Sequence, residues 1–148
     1  MTDRANSFLL FNSLYQPTAA FEELSKLDPA PLNIMFRYSI FLLLLPPVFS
    51  LIGASNFGWR LGAAEPLKLP IDVLLVVSIA YFCVLLFGLL STTVISRWMA
   101  STYGASTSFG RHLALITIVG EPLAVASAAQ LYPDVFINIL ILIPTVIW

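Results

Sequence analysis

Two stretches of this chain, Tyr38 to Trp59 and Val73 to Ser96, contain no charged residue, and each is long enough to cross a bilayer as a helix. A hydrocarbon core takes about 20 helical residues, and inside it a backbone satisfies its own hydrogen bonds only as a helix or a closed barrel. The rest of the composition agrees. Apolar residues make up 59% of the 148 and charged ones 10%, whereas a soluble domain covers its surface with about 25% charged residues. The remaining solvent is therefore lipid, and the predicted fold class is all-α: a polytopic transmembrane helical bundle.

The spans differ in strength. The second, 73–96, holds fifteen strongly apolar residues; at roughly −0.3 to −0.6 kcal/mol each it inserts unaided. The first, 36–57, is interrupted by Pro46-Pro47, which predicts a kink or break near Leu43 to Pro47 because proline removes a helix hydrogen bond and clashes one turn back. The third, 113–132, carries Glu121-Pro122 and Gln130. Its apolar residues supply roughly −4 kcal/mol, of which one central charge cancels about 2.5 to 3.5, so it needs neighbours. The fourth, 135–148, is too short to span and reads as a partial helix, the start of a longer one.

The N-terminal arm, 1–33, holds a predicted amphipathic helix over 17–27. Pro17 suits its first turn, Phe21, Leu24 and Leu27 recur at helical spacing, and Pro29 and Pro31 stop it. It lies either on the cytoplasmic membrane surface or against the bundle's loops. The short apolar run Phe8 to Phe11 is no signal peptide. Arg4, Lys26, Arg37, Arg97 and Arg111 fall on one side of the predicted spans, and Arg60 and Lys68 on the other. Five against two places the N-terminus in the cytoplasm of a plasma-membrane protein. With no repeat or low-complexity tract, residues 1–148 read as one domain.

Composition and motifs also exclude functions. A net charge of −1 offers no field for nucleic acid. The single cysteine, Cys83, and single histidine, His112, leave no disulfide, haem pair or metal cluster. The glycines and serines between Ser101 and Gly110 form neither a Walker motif nor a triad. No catalytic residue, cofactor or metal is expected.

Glu121 is the exception that requires explanation, since an acid within a span is a functional-site hypothesis by default. On a helical wheel Thr117, Glu121, Ala124 and Ala128 fall within roughly 60°, with Gly120 beside them; such small residues let helices approach closely. The second span offers Ser78, Tyr81, Leu85, Gly88, Thr92 and Ser96 as a matching face. The expectation is that Gly88 leaves room for the Glu121 carboxyl and that Thr92 or Ser91 hydrogen-bonds it. Glu121 and Pro122 then serve either as a proton or cation site, helped by carbonyls that the proline frees, or as a protonated acid that locks two helices or contacts a partner subunit.

Several short patterns occur in a familiar order: Pro17 with Phe21, Ile52-Gly53, Gly58-Trp59 with Gly62, Leu67-Lys68-Leu69, the small-residue loop from Tyr103-Gly104 to Ser108-Phe109, Pro122 thirteen residues beyond Phe109, and Leu131-Tyr132-Pro133. The order resembles the bacterial inner-membrane branch of the Yip (Ypt-interacting protein) domain family, from Leu14 onward. The resemblance implies a helical membrane domain of about five spans of about 20 residues each, more than this chain shows. Eukaryotic relatives bind prenylated Rab-type GTPases, but their Asp-Leu-Tyr-Gly-Pro signature has no counterpart here, so that role is not carried over. Glu121 departs from the pattern, which usually has a small or hydroxyl residue before the proline. The combined expectation is a non-enzymatic scaffold or accessory subunit that contacts the lipid bilayer and other membrane proteins or itself. The alternative is an oligomeric transporter or a proton- or cation-conducting component that uses Glu121.

Overall fold

A computed structural model describes Glu22 and residues 32–60, 65–105 and 108–147. The expected amphipathic helix at 17–27 lies outside the described residues, apart from Glu22, which is helical and exposed. The described residues form four α-helices, α1 (Leu32–Phe57), α2 (Ile71–Thr102), α3 (Phe109–Ala126) and α4 (Val135–Ile147), with a 3-10 segment, Ser127–Leu131, between the last two. Among them there is no strand, only two isolated backbone bridges. Three stretches, Phe36–Phe57, Ile71–Thr102 and Phe109–Leu131, are long and apolar enough to cross a membrane, and Val135–Thr145 is a shorter apolar helix. The three spans and partial fourth read from the sequence are therefore present.

Local chemistry explains the boundaries. Asp134 starts α4: its Oδ1 accepts from the backbone N–H of Phe136 at 2.9 Å and of Ile137 at 3.4 Å, the cap that leaves fewer orphan donors at a helix entry. Gly58 ends α1. Its N–H returns to the Ala54 carbonyl at 3.0 Å, and its φ of +70° is one that glycine adopts without cost. Of the expected kink or break, a break does not occur: α1 is continuous through Pro46 and Pro47. A span can absorb prolines because neighbouring turns and side chains satisfy the few groups they release. Pro122 likewise lies inside α3, which passes into the 3-10 segment at Ser127.

The chain divides into two compact units. The first comprises Met1–Ser39 and Gly88–Glu121. Its core is Leu113, Ala114 and Ile118, against which Tyr38, Leu89, Phe109 and Leu115 pack. Ser96 Oγ lies 2.9 Å from His112 Nδ1, which ties the end of α2 to the start of α3.

The second unit comprises Ile40–Phe87 and Pro122–Trp148. Here Gly53 of α1 meets the 3-10 segment so closely that a Cβ there would overlap the Gln130 carbonyl oxygen and touch that of Leu131. Beyond it the loop is pinned by backbone bonds. Trp59 and Leu67 exchange two, at 2.9 and 2.8 Å; Arg60 donates to Pro133 at 3.0 Å and accepts from Val135 at 3.3 Å. The Tyr132 ring stacks obliquely on Phe57, 5.6 Å between centroids, and lies 5.7 Å from the Arg60 guanidinium. Along α2, by contrast, Val76, Val84 and Phe87 are each at least 67% exposed. An apolar surface of this kind is stable only against lipid or another apolar chain.

Gly53 and Gly88 therefore respond differently to the same methyl group. Gly53→Ala forces helix separation and costs about 1–3 kcal/mol. Gly88, where a Cβ meets nothing within 4 Å, tolerates alanine or gains up to about 1 kcal/mol of helix stability. Thermal unfolding of the two variants in detergent micelles checks the contrast.

Candidate functional site

Glu121 lies on α3 one turn beyond Thr117, so their side chains share a face. Opposite them, α1 presents two consecutive polar residues, Tyr38 and Ser39. The Tyr38 hydroxyl donates to Glu121 Oε1 at 2.8 Å. Ser39 Oγ and Thr117 Oγ1 lie 2.6 Å apart, and Thr117 also donates to the Leu113 carbonyl at 2.7 Å, which leaves its oxygen able to accept from Ser39. The two contacts form adjacent rungs between α1 and α3. Three of the four side chains are buried, Glu121 and Ser39 at 1% exposed and Thr117 at 3%, while Tyr38 is half-buried. In such surroundings an unmade hydrogen bond is costly, so the rungs fix the relative rotation of the two helices.

This arrangement corrects the expected partner. Thr92 is exposed and donates to the Gly88 carbonyl at 2.8 Å, so neither residue cradles the carboxyl. The buried hydroxyl of α2 is Thr93, one position round the wheel, which donates to the Leu89 carbonyl at 2.7 Å. One residue rotates a helix face by 100°, and a sequence carries no marker of that phase between two helices. Of the small residues on the Glu121 side, Ala124 is buried, but Ala128 is exposed and a Cβ at Gly120 meets nothing within 4 Å. Among the described residues, therefore, neither Gly120 nor Ala128 is pressed against a neighbour within its own unit.

The missed residues are Tyr38 and Ser39. Tyr38 lies near the end of a span, where an aromatic at the membrane–water interface belongs. The available signal was the pair itself: between Arg37 and Ser50, Tyr38 and Ser39 are the only side chains able to hydrogen-bond. Tyr81, placed by sequence on the face toward Glu121, instead accepts from Gln130 Nε2 at 3.3 Å within the second unit. Among the described residues no group of three or more His, Cys, Asp or Glu gathers as a metal site, and Cys83 is exposed.

Comparison with known proteins adds the context of a family. Residues 11–148 match the model described as the Yip1 domain. The chain is similar to the inner membrane protein YohC of Escherichia coli (strain K12), 27% identical over 97 residues, which cover 66% of this chain and 50% of that protein. The same figures hold for YohC of Escherichia coli O6:H1. The chain thus spans about half the length of the curated relatives it matches. No solved structure matches.

Removing the Tyr38 hydroxyl isolates the effect of the upper rung. Tyr38→Phe keeps the ring and leaves the buried carboxyl short of a donor, which costs about 1–3 kcal/mol. Thr92→Val, on the exposed face, stays within about 0.5 kcal/mol of the parent. Denaturation in mixed micelles reads both, and equal stabilities would refute the assignment.

Proposed function

Because the chain belongs to the Yip1 domain family, we propose that it serves as a non-enzymatic scaffold or accessory subunit that associates with other membrane proteins or with copies of itself. It is a multi-pass membrane protein whose relatives are named inner membrane proteins, and its helices contact the lipid bilayer. Under this reading residues 1–148 act as one Yip-like domain, with the N-terminus in the cytoplasm as the lysine and arginine distribution indicates.

The observation that supports the reading most is where the polar groups go. The buried acid of α3 is held within the chain by Tyr38, which favours a fixed scaffold over a reactive centre. The side chains left uncovered are apolar, along α2 above all, and a membrane protein associates through such surfaces by close packing. Native mass spectrometry of the protein released gently from membranes tests this. A partner subunit or a homo-oligomer is expected; a solitary monomer across several mild detergents overturns it.

A second reading, an oligomeric transporter or proton- or cation-conducting component, has one specific observation in its favour. The buried carboxyl has a phenol and two hydroxyls ranged beside it, and Pro122, lacking an N–H, cannot bond the Ile118 carbonyl one turn back. Under this reading Glu121→Gln abolishes a flux into proteoliposomes while the protein still elutes as a folded species. A Gln variant that conducts like the parent removes Glu121 from any transport role.

A further inference from the structure

We infer that Arg60 binds phosphate, that its ligand is the headgroup phosphate of a single membrane phospholipid, and that Lys68 supplies the second cationic contact. The inference concerns a lipid rather than a protein partner. It goes beyond the scaffold reading, and the presence or absence of partner subunits leaves it standing.

The place is set, within the second unit, by where apolar helices stop. The stretches Phe36–Phe57 and Phe109–Leu131 both end at this junction, and Ile71–Thr102 and Val135–Thr145 both begin beside it. Backbone bonds from Trp59 to Leu67, and from Arg60 to Pro133 and Val135, hold the connecting segments together. Trp59 and Tyr132 are exposed there, as amphipathic rings are at a membrane boundary. Arg60 and Lys68, between the same helix ends, therefore lie at the level where hydrocarbon gives way to phosphate.

The guanidinium is held in place but lacks an anion. Arg60 is half-buried, and its Nε is enclosed with no acceptor among the described residues. Its side chain makes one hydrogen bond, from Nη1 to the Tyr132 hydroxyl at 3.3 Å, and that bond lies at the surface. A permanently charged fork fixed in this way has Nη donors left over, and phosphate oxygens match their geometry. The acids of the junction are engaged elsewhere. Asp134 caps α4 and Asp72 sits in the first turn of α2, where the helix dipole favours a carboxylate. Alternation about the antiparallel Trp59–Leu67 bridge turns Glu65 to one face and Arg60 and Lys68 to the other. A Cβ at Gly58, on that second face, would touch Lys68 Cγ at 3.1 Å, so the bare glycine leaves room for the lysine stem.

Titration of the whole protein with phosphatidylglycerol in neutral-detergent micelles, read by native mass spectrometry, tests the assignment. The parent retains a single lipid. Arg60→Gln weakens that binding about tenfold, the equivalent of one charge-assisted hydrogen bond, and Arg60→Lys recovers only part of it because an ammonium lacks the planar fork. If Arg60→Gln does not fold, Lys68→Gln carries the test, since that side chain is exposed; it weakens binding about fivefold, the equivalent of one cation at an anionic surface. Arg97→Gln, at an exposed arginine near the end of α2, leaves binding unchanged. A diacylglycerol with the same acyl chains but no phosphate is not retained, and excess inorganic phosphate does not displace the lipid. The assignment is overturned if the folded Arg60 and Lys68 variants bind like the parent, or if Arg97→Gln loses as much. Equal retention of the diacylglycerol overturns the phosphate contact, and displacement by inorganic phosphate overturns the lipid as its source.

Discussion

Lipid offers no hydrogen bonds, and that constraint governs every feature of this chain. A backbone in the bilayer keeps its polar groups paired by remaining helical, which is why α1 continues through Pro46 and Pro47 rather than breaking. Proline nonetheless has no N–H, so the carbonyls of Leu42, Leu43, Ile118 and Leu140, each four residues before a proline within a helix, lose their usual donor. The same rule reaches the side chains. Thr92, Thr93 and Thr117 turn their hydroxyls back to carbonyls four residues earlier, the local solution open to a threonine in a helix. Glu121 reaches across the chain instead, accepting from the Tyr38 hydroxyl. It takes its donor from another helix.

That requirement makes Glu121 an organising residue. A carboxyl that must find a hydroxyl on α1 selects one rotation of α1 against α3, and the Ser39–Thr117 contact one turn away permits the same rotation. Two bonds at adjacent positions specify orientation better than apolar packing does, since leucine and isoleucine surfaces slide with little penalty. In the second unit the equivalent task falls to close backbone approach, Gly53 against the 3-10 segment, and to the ring and guanidinium contacts of Tyr132. The Ile52-Gly53 and Leu131-Tyr132-Pro133 patterns that carry the family resemblance thus lie at one physical junction. The glycine permits the approach, and the later pattern supplies the surface approached.

The candidate site was half legible before any coordinates. Glu121 stood out because a charge within a span is expensive, and Thr117 followed from it by helical spacing. The partner was misplaced because helical spacing groups residues on a face of one span but does not give that face's rotation against another. Gly88 and Thr92 were drawn from the second span's small and polar face, whereas Tyr38 sits beside Arg37 at the start of the first. Tyrosine's long side chain separates the position of its Cα from that of its hydroxyl. A residue assigned to the interface by its place in the chain can therefore deliver a donor deeper in the protein.

The amino-acid sequence by itself determined the class of this protein, the apolar spans found among the described residues and its family, because charge-free length and short ordered motifs are properties of a line of residues. It also located the acid, since the cost of burying a carboxyl does not depend on which neighbour relieves it. Only the tertiary structure decided that neighbour: Tyr38 rather than Thr92, and Thr93 rather than Thr92 as the buried hydroxyl of α2. Helix rotation is set by the sum of contacts between elements distant in the chain, and a shift of one residue turns a helix face through 100° without altering any local preference.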